Sequence, residues 1–273
     1  MPADVQVKAR AAEQIASAGV AGEAAAAGQG GGALTTMAAI TQRELSSLFY
    51  SPIAYVVGFI FLLLTGYFFV SETLIPGKEA TMRFLFEKMA GVLVFALPLL
   101  TMRSIADEFS SGAIETLMTA PVSDLAVVMG KFLGSLLFYL GLLVTTLPHL
   151  FLLGSYAPDL DASTVLTGYL GMVLLGGMFI AIGIFASSCT RHQLLAATIS
   201  IAILAVLTFV VDYGAEYARR MWQRDVCAYL NVLGHFADFS KGILDSKSVV
   251  FFVSGTVFFL FLATKVMESR RWR

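Results

Sequence analysis

Arg103-Ser-Ile-Ala-Asp-Glu-Phe-Ser-Ser-Gly112-Ala-Ile-Glu115-Thr-Leu117-Met-Thr-Ala-Pro121-Val-Ser123-Asp124 is a polar stretch between two apolar runs, each long enough to cross a membrane. Laid on a helix, Glu108, Ser111 and Glu115 share one face by i, i+3 and i+4 spacing. Phe109, Ala113, Leu117 and Met118 share another. Pro121 ends that helix, because the residue before a proline is driven out of the α region. Ser123 then offers an N-cap and Asp124 a first-turn carboxylate for a second helix. The pattern predicts a short amphipathic helix beside the membrane, a sharp turn, and a helix that re-enters the bilayer. A partner gripping such a surface helix could move the span to which it is joined.

Composition fixes the class around this segment. The chain is 58% hydrophobic and only 14% charged, with a mean hydropathy of +0.80. Soluble domains carry about 45–50% apolar and about 25% charged residues, so this is an integral membrane protein. The net charge of −1 gives no nucleic-acid footprint. Cys189 and Cys227 stand in no metal-ligand spacing and read as small apolar fillers.

A helix needs about 20 residues to cross about 30 Å of hydrocarbon. Six apolar stretches are long enough, near 53–71, 84–102, 128–154, 164–187, 193–213 and 248–267. The expected fold is an all-α integral membrane protein with six transmembrane helices. An even number of spans puts both termini on one side, and basic residues should mark that side. The terminal side holds Arg43, Arg103, Lys131, Arg191, Lys265, Arg270, Arg271 and Arg273. The other holds Lys78, Arg83, Lys88, Arg219, Arg220, Arg224, Lys241 and Lys247. The balance tips toward the terminal side only when Lys8 and Arg10 are added.

The domain reading is a disordered Ala/Gly-rich tail over 1–40 followed by one six-span unit over 41–273. The tail has no apolar run of signal-peptide length and too little apolar surface to order itself. Thr41-Gln-Arg-Glu44 has the form of a capping box, with Ile40 and Leu45 placed for a hydrophobic staple. Leu45, Leu48 and Phe49 continue on one face. Ser51-Pro52 then supplies an N-cap and first-turn proline for the first span. An amphipathic helix just before a span is expected to lie at the membrane interface.

Within the spans, Gly177-x-x-x-Ala181 and Gly183-x-x-x-Ser187 are small-residue seams suited to close helix packing. Pro98 and Pro148 should kink the second and third spans. His149, Glu87 and Lys88 fall near the far interface, where satisfied interfacial groups are expected, and Arg83 is placed to pair with Glu87. No GxxxxGK[ST] phosphate loop, HExxH or GxSxG occurs. The chain therefore cannot hold an ATP site of the phosphate-loop type, no catalytic or metal residues are expected in it, and if transport is powered by ATP the ATPase is a separate polypeptide.

The segment from Arg103 to Ser123 resembles the permease subunit of type-2 ABC (ATP-binding cassette) exporters, and the likeness extends over about residues 41 to 273. The tail from His235 to Arg273 looks like the gliding-motility-associated branch. The resemblance implies that the first motif is a coupling helix seated on a separate ATPase, with Asp107, Glu108, Phe109, Gly112, Glu115 and Leu117 as contacts. Glu108 and Glu115 would supply polar contacts, Phe109 and Leu117 would enter an apolar groove or the bundle, and Gly112 would permit close backbone approach. It also implies a second ATPase contact at the turn Ser188–Gln193, through Arg191 and His192. An interface helix built on Thr41, Glu44, Leu45, Leu48 and Phe49 would precede the first span. Short re-entrant helices would lie in 214–247.

ATP and Mg would then be held by the ATPase partner, with no cofactor in this chain. A second permease, identical or related, would complete the pathway in a bacterial inner membrane, with both termini cytoplasmic. A non-transporting anchor that relays ATP-driven force shares this architecture. An intramembrane enzyme would need convergent ionisable groups near the bilayer centre, and the spans offer none in pairs.

Overall fold

The computed structural model describes residues 33–73, 81–112, 123–156, 162–217 and 221–271. Every regular element among them is helical. The chain opens with α1 (Ala33–Phe49). Then α2 (Pro52–Phe68) continues into a π-helical turn, Phe69–Thr73. Next come α3 (Arg83–Thr101), the short α4 (Ala106–Ser111), α5 (Asp124–Val144) and α6 (Leu147–Tyr156). The long α7 (Ala162–Cys189) follows. After it, α8 (Gln193–Ala205) runs through a second π-helical turn, Val206–Val210, into α9 (Val211–Tyr217). The chain closes with α10 (Met221–Leu230), α11 (Val232–Ser240) and α12 (Ser246–Arg271).

Six of these stretches are long and apolar enough to span a membrane: Pro52–Thr73, Arg83–Ser111, Asp124–Ser155, Ala162–Cys189, Gln193–Gly214 and Ser246–Arg270. Each coincides with a run expected from hydropathy. The second and fourth are 72% and 78% buried over their most apolar window, against 17–33% for the others. Two spans therefore form the core, and the other four surround them with apolar faces left for lipid or another subunit. At the centre of α7, Tyr139 of α5 lies against Gly176 and donates to the Met172 carbonyl at 2.8 Å. A Cβ on Gly183 would overlap Thr101 at the end of α3, so that seam packs two spans tightly, as small-residue seams do.

Two local expectations are corrected. The first helix begins at Ala33, so Thr41 and Glu44 are interior residues and form no capping box. Thr41 Oγ1 donates to the Met37 carbonyl at 2.8 Å instead, as a mid-helix threonine does. The third span is broken between α5 and α6 rather than merely kinked. Pro148 has no N–H to extend a helix and is tolerated in a first turn. It occupies the first turn of α6, while the Thr145 and Thr146 hydroxyls donate back to Leu142 and Leu143. Pro98, by contrast, lies inside a helix that continues through it. At the far end, Arg83 pairs with Glu87 at 3.1 Å.

Candidate functional site

The polar stretch begins where α3 ends. Backbone turns run from Met102 to Ile105, and α4 follows with Asp107 and Glu108 in its first turn. A bend this close to apolar spans leaves amides without helical partners, which is costly where water is scarce. Ser187 of α7 satisfies them. Its hydroxyl accepts from the Ile105 amide at 3.1 Å and the Ala106 amide at 2.9 Å, and donates to the Met102 carbonyl at 3.0 Å. Ser187 is fully buried. A side chain from the core helix thus caps α4 from outside its own segment.

The helix stops at Gly112, whose φ is +75°. Among the described residues nothing lies within 4 Å of where its Cβ would stand. Its requirement is the left-handed backbone that ends a helix, which glycine adopts at no steric cost. Glu115, Leu117 and Pro121 lie outside the described residues.

Glu108 and Phe109 make their contacts within the bundle, the second of the two places expected for Phe109. Glu108 Oε1 pairs with Lys131 Nζ of α5 at 2.9 Å, and Glu44 Oε2 of α1 pairs with the same nitrogen at 3.2 Å. Lys131 also donates to the Ser104 carbonyl, so its three protons are all engaged. Its side chain is only 4% exposed. A lysine placed this far into an apolar span demands counter-charges, and that demand turns Glu108 toward the bundle. Phe109 packs against the core beneath the Arg270 guanidinium, 4.5 Å from its ring centre. Arg270, at the end of α12, also donates to the Cys189 carbonyl.

Asp107 remains half-exposed. Arg103 Nε holds it at 3.1 Å, and Gln193 Nε2 donates to its other oxygen. Gln193 begins α8, directly after the turn carrying Arg191 and His192. In that turn the His192 amide donates to Thr190 Oγ1 at 3.1 Å, and both side chains are exposed. The two segments expected to meet an ATPase are therefore bonded to each other at one end of the bundle. Ser110, Ser111, Gly112, Arg191 and His192 form its exposed edge.

The first helix joins the same end. α1 packs along α5, where Cβ atoms on Gly130 and Gly134 would fall 2.7 Å from Ile40 Cγ2 and Glu44 Cβ. Leu48 is buried, Leu45 is half-buried, and Phe49 stacks edge-on to Phe138 at 5.3 Å. A polar cavity of about 510 Å³ opens between α1, the start of α2 and α4. It is lined among others by Arg43, Glu44, Arg103, Asp107, Glu108 and Lys131.

The family model described as ABC-2 family transporter protein matches residues 11–218, most of the chain and every element of this site except Arg270. The chain belongs to the ABC-2 transporter family. This ABC-2 protein is a multi-pass membrane protein and a permease component of an ABC transporter, a transporter subunit and not itself an enzyme. The match ends before the tail that carries the gliding-motility likeness. No curated protein matches the chain.

Reading one segment at a time missed Lys131, Ser187, Gln193 and Arg270. Lys131 had a usable signal, an ammonium one turn and more inside an apolar helix. The others had none, because their partners are far away in sequence.

Proposed function

We propose that this permease is driven by a separate ABC ATPase that docks on α4 and on the 190–193 turn, and that ATP-dependent closure of the ATPases moves these segments and switches the pathway. The hydrogen bond between Asp107 and Gln193 carries this reading. It joins the two expected contact segments into one edge with exposed Ser110, Ser111, Arg191 and His192, a surface a single partner domain would cover. Asp107 meets the ATPase at the rim. Glu108 and Phe109 act from behind, fixing α4 to the bundle. Glu115 and Leu117 complete the contact on the following residues. ATP and Mg bind in the ATPase.

A second permease, a copy or a relative, faces the open groove of about 590 Å³ between α2, α3 and the fifth span. Its walls include Phe61, Leu64, Phe95 and Phe209, with Glu87 and Lys88 at one end. The exposed apolar residues of α2 (Tyr55, Phe59, Leu63) flank it and supply the surface such a partner would cover. The docking end faces the cytoplasm of a bacterial inner membrane, as do both termini. The tail from His235 supports a place in the gliding-motility-associated branch.

The test is co-purification with the co-expressed ATPase. Arg191→Glu and Glu115→Lys each reverse a charge at the proposed contact, and like-charge juxtaposition across an interface costs several kcal/mol. Both should lose the ATPase at normal membrane levels, whereas Lys247→Glu, at the opposite end of α12, should retain it. Undiminished capture and ATP turnover with both reversals would remove the docking assignment.

A further inference from the structure

Lys131 does more than neutralise a cavity wall. Its ammonium, carried on α5, touches α1, the turn before α4 and α4 itself. It reaches Glu108 at 2.9 Å and Glu44 at 3.2 Å and donates to the Ser104 carbonyl. The groups are shielded: the side chains of Lys131, Glu44 and Glu108 are 4%, 14% and 15% exposed. A shielded pair is screened little by solvent or salt, and removing one partner strands the other charge. The contact is therefore stiff. Gly130 and Gly134 gear the same stretch of α5 onto α1, with backbone and side-chain atoms of α1 in direct contact. A displacement of Glu108 by an ångström or so would either rupture the triad or carry Lys131 and Glu44 with it.

We infer that Lys131 is a transmission residue: it locks α4 to α1 as one moving body, so that displacement of α4 by an ATPase is delivered to the interface helix as well as to the third span. This rests on the proposed docking of the ATPase at α4. Lys131 acts through Glu44 and Glu108 and needs no contact with ATPase or substrate, so it is a positioning residue. Interfaces packed in this way pass on motion as rigid units with discrete arrangements rather than by gradual deformation.

The experiment measures spin-label distances in the permease–ATPase complex in lipid nanodiscs, with Cys189 and Cys227 replaced by serine. Labels at exposed Gln42 on α1 and exposed Ser110 on α4 are each paired with Lys247 at the far end of α12. Because Ser110 lies on the docking edge, its labelled chain is used once ATPase capture matches that of the unlabelled chain, and the 42–247 pair decides alone if capture falls. Labelled chain is diluted into unlabelled chain, so that each complex carries one labelled copy. Distances are compared without nucleotide and with ATP plus vanadate. In the otherwise native chain both distances should shift together. In the neutral variant Lys131→Met/Glu44→Gln/Glu108→Gln, which leaves no stranded charge, the 110–247 shift should persist and the 42–247 shift should be lost. Glu108→Gln alone, which frees α4 while keeping Lys131 paired to Glu44, should reduce only the 42–247 shift and serves if the triple variant does not assemble. A native-sized 42–247 shift in these variants overturns the proposal, as does a native complex in which position 110 moves and position 42 does not. If neither position moves in the native complex, the docking assignment itself fails and the proposal falls with it.

Discussion

Replacing Ser187 with alanine tests the claim that α4 is positioned from the core rather than by its own sequence. The hydroxyl serves the Ile105 and Ala106 amides and the Met102 carbonyl, at 2.9 to 3.1 Å. Ser187→Ala removes all three bonds without changing the packing volume much. A typical hydrogen bond contributes about 1 kcal/mol net, and a buried polar group left unpaired costs about 1–3 kcal/mol. Side-chain hydrogen bonds in membrane proteins average nearer 0.6 kcal/mol, because the disrupted state finds other partners. Two orphaned amides at the lower end of the penalty, with the adjoining cavity able to admit water, give a loss of about 2–4 kcal/mol. The loss should be local. Amide exchange at Ile105, Ala106 and the rest of α4 should accelerate strongly, while that of α3 and α7 stays slow. Apparent thermal stability in detergent should fall, and ATPase capture should weaken because the docking helix is no longer held. Unchanged exchange at Ile105 and Ala106 would refute the argument, since it would show that those amides were satisfied without Ser187.

Lys131→Met as a single change strands two shielded carboxylates and should cost about 3–5 kcal/mol. Restoring neutrality with Glu44→Gln and Glu108→Gln should recover most of it, read as detergent melting temperature. Gly134→Leu drives a side chain into Glu44 and the Thr41 carbonyl. Overpacking of this kind costs about 1–3 kcal/mol and should detach α1 from α5, seen as faster proteolysis within Ala33–Phe49 with the span core intact. Arg270→Ala removes a cation–π contact with Phe109 and a bond to the Cys189 carbonyl. It should cost about 1 kcal/mol and raise amide exchange around Phe109 and Cys189. A membrane-impermeant thiol reagent, admitted through any outer membrane, should label Cys227 and spare Cys189 in intact cells. The reverse pattern would invert the proposed orientation.

Hydropathy alone determined the membrane class, the number of spans and their approximate limits. A helix crossing hydrocarbon must satisfy its own backbone and present apolar side chains over a fixed length, so the information is local and written in one stretch of chain. Terminal signals of the same kind were legible too: Ser123 caps α5 by accepting from the Ala126 amide at 3.3 Å, and Pro52 begins α2. Locality also explains the failures. Thr41 and Glu44 have the spacing of a capping box, but the helix they sit in starts at Ala33, and its Met37 and Ile40 already lie along α5 at Gly130.

The site itself was decided by tertiary structure. Glu44 and Lys131 are 87 positions apart, and Asp107 and Gln193 are 86 apart. No i, i+3 or i, i+4 rule relates them. Their meeting depends on the register between helices, which for Glu44 and Lys131 is set where Gly130 and Gly134 let α1 settle onto α5. The second small-residue seam, Gly183-x-x-x-Ser187, was readable as packing. Only the fold shows that its serine faces the backbone bend at Met102–Ala106, whose amides it serves. The direction of Glu108 follows the same logic: spacing placed it on the polar face of a helix, and the buried ammonium of Lys131 draws its carboxylate inward while Ser111 on that face stays exposed.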